Sequence, residues 1–152
     1  MLGFLDCRFA TKEFWLGYWL KSFLSSVRAN YFLFVQNLLF FPALVTSTEK
    51  SYLDLIFEKT GIAGYFDILV TGDMVSHGKP DPECYNLAAQ KLSVAASECL
   101  VFEDAPSGIL AGKNAGMKVI AVPSPYVKGN EAFQKADLIV DTLRDITLEK
   151  NC

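Results

Sequence analysis

The sequence predicts an α/β fold: a parallel sheet covered on both faces by helices. Two observations carry this. After about Pro42, short apolar runs alternate with helix-like segments. Several of those runs end in hydroxyls or acids, as strands do along the ligand-binding edge of an open sheet. At 152 residues the chain is the size of one domain with a real core.

The elements follow in order. Residues 1–6 are an apolar run suited to a short buried strand. Leu16, Trp19, Leu20, Phe23 and Val27 then recur at helical spacing, with Lys21, Ser22, Ser25 and Arg28 opposite, which predicts an amphipathic helix over 14–27. The following YFLFVQNLLFFPALV is apolar but interrupted by Gln36 and Asn37. It falls short of the roughly 20 apolar residues a membrane span needs, so no membrane association is expected. The amino end lacks the basic region of a signal peptide.

PALVT is a strand, and Ser47-Thr48-Glu49 opens a helix carrying Tyr52, Leu55, Ile56 and Lys59 on one side and stopping at Gly61. FDILVTG is the next strand. Asp81 and Pro82 start a helix running to about Leu92. CLVFE, KVIAV and DLIVD are further strands, and a short helix is expected over 142–148. Gly108, Gly112 and Gly116 share one face of the helix after CLVFE. Each costs roughly 1 kcal/mol against Ala inside a helix, so close approach to the sheet is the expected compensation, with Gly116 as a left-handed cap.

Charge and composition narrow the function. The net charge of −3 argues against nucleic-acid binding. Aromatic residues concentrate before Pro42, where most of the twelve phenylalanines and both tryptophans lie. Self-association through residues 1–41 is therefore expected. Cys7, Cys84, Cys99 and Cys152 are scattered, as reduced thiols in a cytoplasmic protein are. His77, the only histidine, reads as a loop residue beside Lys79.

Three places carry chemistry. Glu103 and Asp104 end the CLVFE strand as adjacent acids, where an open α/β sheet puts a hard-metal site; solvated acids near a helix start are the plainer alternative. Lys79 stands in HGKPDP, a loop stiffened by Pro80 and Pro82, either aimed at an anion or simply solvated. Thr46 ends PALVT just before a helix amino terminus, a natural anion site, with Ser47 as a neighbouring contact; helix capping by Ser47 or Thr48 is the alternative.

Hydroxyl, lysine and acid pair in that order resemble the haloacid dehalogenase superfamily, in particular its β-phosphoglucomutase-like and sugar-phosphate phosphatase branch. The resemblance runs from about Pro42 to about Leu148. It implies a three-layer Rossmann-like parallel sheet and a Mg²⁺-dependent phosphatase of small phosphorylated metabolites. Thr46 and Ser47 would bind the phosphoryl group, Lys79 would stabilise its charge, and Asp104 with Glu103 would hold the metal. The family also carries Asp-x-Asp-Gly after its first strand, the first Asp as nucleophile and metal ligand, the second as general acid/base. Here Asp6-Cys7 is followed by Arg8 and Phe9, so Asp6 matches the first position and the second acid is missing. Arginine, with a pKa above about 12, cannot replace it.

The family's helical cap lies between the nucleophile and hydroxyl motifs. Asp6 and Thr46 are so close in sequence that the cap is expected to be absent or much reduced. Three readings stay open: an impaired phosphatase, an inactive binding domain, and the product of a frame disrupted between Arg8 and about Phe41.

Overall fold

The computed structural model describes residues 2–7, 41–124, 127 and 129–146. The expected helix over 14–27, the cap and the self-association segment beyond residue 7 lie outside the described residues. The strands are β1 (Leu2–Cys7), β2 (Pro42–Thr46), β3 (Ile68–Val70), β4 (Cys99–Glu103), β5 (Lys118–Ala121) and β6 (Leu138–Ile139). The helices are α1 (Lys50–Thr60), α2 (Glu83–Leu92) and α3 (Pro106–Asn114). All six strands form one sheet in the order β3-β2-β1-β4-β5-β6. The β2–β3, β4–β5 and β5–β6 pairs are parallel.

Alternation along the strands builds two cores. Ala43 and Val45 of β2 join Val70, Val101, Val119 and Ala121 on one face, under α2 and α3. Leu44 points the other way and packs with Leu53, Ile56 and Phe57 of α1. The result is the three-layer α/β architecture. The buried stripe of α1 is Leu53, Ile56 and Phe57, whereas Tyr52 and Leu55 are exposed. The stripe expected from Tyr52 and Leu55 is thus rotated: Tyr52 and its neighbour Leu53 both satisfy helical spacing, and only contact with the sheet chooses between them.

The glycine spacing of α3 serves close packing. A Cβ at Gly112 would come within 2.8 Å of Val119 Cγ2, so the helix rests directly on β5. Gly116 lies just past the helix at φ 76°, as a left-handed cap. Near the carboxyl end, the described residues form a single 3₁₀ turn at Leu143–Asp145 in place of the expected helix. Among the described residues no helix is long and apolar enough to cross a membrane.

The strand β1 fills the middle of the sheet but runs antiparallel to both neighbours. Leu2 pairs with Thr46 and Asp6 with Pro42, while Phe4 pairs with Phe102 and Cys7 with Cys99. The sheet is therefore parallel except at its centre. An antiparallel neighbour needs no crossover, so the chain leaves β1 at Cys7 and enters β2 at Pro42 along the same edge.

Candidate functional site

The carboxyl ends of β2 and β4 define one edge of the sheet. At β2, Thr46 is buried and its hydroxyl oxygen accepts the Thr48 N–H at 3.0 Å, which turns the chain toward α1. Gly72 packs against this turn so closely that a Cβ there would overlap the Ser47 carbonyl, and the Gly72 N–H donates to Thr48 O at 3.0 Å. Ser47 itself is exposed. The Asp73 carboxylate accepts the Lys50 N–H at 3.1 Å, so the first helical donor of α1 already faces a negative charge.

The lysine loop is tied down by the next helix. Glu83 accepts the N–H groups of Ser76 and His77 at 2.9 and 2.8 Å, and lies 3.1 Å from His77 Nδ1. Those backbone donors hold the Glu83 carboxyl below its ordinary range. Asp81 accepts the Glu83 N–H at 2.9 Å and so caps α2, while Asn114 reaches the Pro80 carbonyl at 3.1 Å. The Lys79–Pro80 bond is cis. His77 serves the loop through Glu83 and is exposed.

These restraints send Lys79 inward. Its side chain is only 3% exposed and its ammonium pairs with Glu103 Oε1, whose side chain is fully buried. The Tyr85 hydroxyl donates to the same oxygen at 2.5 Å and lies 3.0 Å from Lys79 Nζ. Lys79 also stands 4.7 Å from the centre of the Tyr85 ring, a cation–π contact. Glu103 Oε2 accepts the Ala105 N–H at 3.3 Å, and a Cβ at Gly108 would overlap the carboxylate. Glu103 is thus enclosed beneath the start of α3. A buried charge of this kind persists only when paired and hydrogen-bonded, and both conditions are met.

Asp104 follows Glu103 and is also buried. Two adjacent carboxylates present oxygen donors only, the chemistry of a hard cation such as Mg²⁺, which needs one or two carboxylates and keeps its remaining waters. The donor set therefore fits a hydrated ion held by Asp104. Glu103, already committed to Lys79 and Tyr85, is available to it only through water. Among the described residues no three metal-ligating side chains cluster. Cys84, beside this network, is a buried free thiol whose pKa burial pushes up, which makes it a poor nucleophile.

Asp6 is not brought to this edge. The antiparallel register sets it opposite Pro42 and Leu100, at the amino ends of β2 and β4. Pro42 and Thr46 are four steps apart along β2, which at about 3.3 Å per residue is roughly 13 Å. The expectation that Asp6 supplies a nucleophile and a metal ligand beside Glu103 and Asp104 is not met by this register, which sets the Asp6 backbone at the other end of the strands. Thr46 and Asp104 flank the amino end of β1, about two strand spacings or roughly 10 Å apart. Arg8 lies outside the described residues.

Sequence reasoning missed Tyr85 and the reason for Gly108. Tyr85 is a fully buried tyrosine within the apolar stripe Cys84, Tyr85, Ala88 and Ala89 of α2, and a buried phenol needs a partner. That polar handle inside an apolar stripe was the available signal.

A sheet of order β3-β2-β1-β4-β5-β6 with a hydroxyl, a lysine and paired acids near the carboxyl ends of β2 and β4 defines a Rossmann-like α/β domain. The chain matches the haloacid dehalogenase-like hydrolase family over residues 36–122, and it belongs to that family. It is 39% identical over 103 residues to validoxylamine A 7'-phosphate phosphatase of Streptomyces hygroscopicus subsp. limoneus, a match covering 68% of this chain and 47% of that protein. It is 43% identical over 84 residues to hexitol phosphatase A of Escherichia coli (strain K12), covering 55% and 38%. Among solved structures, a HAD hydrolase of family IA, variant 3, from Entamoeba histolytica HM-1:IMSS superimposes with a TM-score of 0.61 at 33% identity, covering 70% of this chain and 48% of that one. The chain thus spans about half the length, or less, of these relatives. The matched family segment contains Thr46, Lys79, Glu103 and Asp104 and excludes Asp6.

Proposed function

We propose that this chain is a phosphatase-derived domain that binds small phosphorylated metabolites, sugar phosphates foremost, with Mg²⁺, and turns them over poorly. One observation carries the reading: Thr46, Lys79, Glu103 and Asp104 belong to one sheet edge, while the register of β1 sets Asp6 at the other. Thr46 and the turn after it would take the phosphoryl oxygens, with Lys79 supplying charge. Asp104 would hold the ion and Glu103 would meet one of its waters; the bound ion would neutralise phosphate charge. Among the described residues neither acid of Asp-x-Asp-Gly stands at the site, so covalent and general acid/base steps have no agent among them, and loss of the latter alone costs about 10²–10⁴-fold.

The names of the relatives support the substrate class, since validoxylamine A 7'-phosphate and hexitol phosphates are phosphorylated polyols. The same reading takes residues 1–41 as an atypical aromatic-rich segment that lends its first strand to the sheet and promotes self-association, 42–152 as the rest of the core, and the cytoplasm as the location. A wholly inactive binding domain is the second reading, and the position of Asp6 favours it too.

Turnover assays with a panel of sugar and hexitol phosphates separate the two from a working phosphatase. Rates of about 1–10³ s⁻¹, ordinary for enzymes, would sink the claim of impairment. Calorimetric Mg²⁺ titration of the wild type and Asp104→Asn tests the metal assignment, which fails if both bind alike.

A further inference from the structure

We infer that Tyr85 is a positioning residue for Lys79: its hydroxyl, together with Glu103, holds the ammonium in one place at the edge where a phosphate would bind. The proposal rests on the phosphate-site reading only in its ligand-binding arm. Three contacts converge on one point. Lys79 Nζ pairs with Glu103 Oε1, the Tyr85 hydroxyl donates to that same oxygen at 2.5 Å, and Nζ lies 3.0 Å from the Tyr85 oxygen. The hydroxyl therefore accepts from Lys79 while donating to Glu103, closing a three-membered ring of hydrogen bonds. The ring face adds a second restraint, 4.7 Å from Nζ.

Burial makes the arrangement consequential. Tyr85 and Glu103 are fully buried and Lys79 nearly so, so water does not compete for these donors and acceptors, and the local dielectric strengthens each bond. A lysine is a flexible four-carbon stem with a point charge at its tip. Left to itself it samples many rotamers, and any anion it binds must first order it. Glu103 supplies attraction but little direction; the phenol, rigid and seated in the apolar stripe of α2, supplies the second fixed point that defines where Nζ sits.

Tyr85→Phe in the full chain removes the hydroxyl and keeps the buried ring. The first measurement is hydrogen exchange of the lysine ammonium protons by ¹⁵N NMR, with Lys91 and Lys118 as exposed references. In the wild type the Lys79 ammonium is expected to exchange slowly, and in Tyr85→Phe as fast as the references. The second is titration with inorganic phosphate in the presence of Mg²⁺, where the variant's Kd should rise about 10-fold, the scale of one hydrogen bond to a charged group. Fast exchange of Lys79 in the wild type overturns the proposal whether or not the variant folds. So does equal protection and equal phosphate affinity in both proteins. If the wild type binds no phosphate while Lys79 is protected and Tyr85→Phe releases it, the positioning role stands and the phosphate-site reading falls.

Discussion

Replacing Gly108 with alanine sets helix propensity against packing, and the two disagree in sign. Gly108 lies inside α3, where alanine is favoured over glycine by about 1 kcal/mol. The new Cβ, however, would overlap the Glu103 carboxylate. The end of a long side chain ordinarily yields at little cost. Glu103 has nowhere to go: it is fully buried and held by Lys79, Tyr85 and the Ala105 N–H. Displacing it separates a buried ion pair, which costs about 3–5 kcal/mol when one partner is left uncompensated. The net expectation for Gly108→Ala is a loss of about 2–4 kcal/mol. At about 2–4 °C per kcal/mol for a chain of this size, the midpoint of thermal unfolding should fall by roughly 10 °C.

The decisive comparison is a double-mutant cycle with Glu103→Ala. That change is itself destabilising, because it strands Lys79, but it empties the space the new Cβ needs. In that background Gly108→Ala should be neutral or stabilising by about 1 kcal/mol. Urea unfolding of the four proteins gives the coupling energy. Were Gly108→Ala as stable as the wild type, or equally harmful with and without the Glu103 side chain, the account of an enclosed carboxylate would be wrong.

Three further outcomes are expected. Gly72→Ala should lose about 1–3 kcal/mol by overpacking, because its Cβ would meet the Ser47 backbone and not a movable side chain; a weakened phosphate affinity in NMR titration would accompany it, and unchanged stability by urea unfolding would contradict the contact. Asp6→Asn should leave Mg²⁺ and phosphate affinities unchanged, and Arg8→Asp with Phe9→Gly should restore no turnover, since β1 runs away from the site; a clear gain in steady-state rate would show that β1 can reverse. Glu83, held below its ordinary 4.5 by the Ser76 and His77 N–H groups, contributes stability that is present above pH 4.5 and lost as pH falls through its lowered folded value; thermal unfolding of wild type and Glu83→Gln should therefore differ at neutral pH and converge in acid, and a constant difference at all pH values would exclude this carboxylate.

Local pattern was enough to read the order of strands and main helices from Pro42 to DLIVD and the positions of Thr46, Glu103 and Asp104 at strand carboxyl ends. Those features are local: a strand end is marked by where an apolar run meets hydroxyls, acids or glycine, and a helix start by its capping residues. It also marked residues 1–6 as apolar enough for a buried strand, and β1 indeed lies mid-sheet. What it could not settle was the direction of that strand. Alternation with period two reads the same forwards and backwards, so pattern alone cannot distinguish a β1 that presents Asp6 to the site from one that turns it to the far edge. The buried face of α1 was similarly undecided, because Tyr52 and Leu53 both fit a helical stripe until β2 is packed beneath them. The lysine cradle lies furthest from sequence. Lys79 and Glu103 are 24 residues apart and Tyr85 and Glu103 are 18 apart. Only the packing of α2 and α3 on the same face of the sheet brings their tips together, and burial there turns three common residue types into one ordered network.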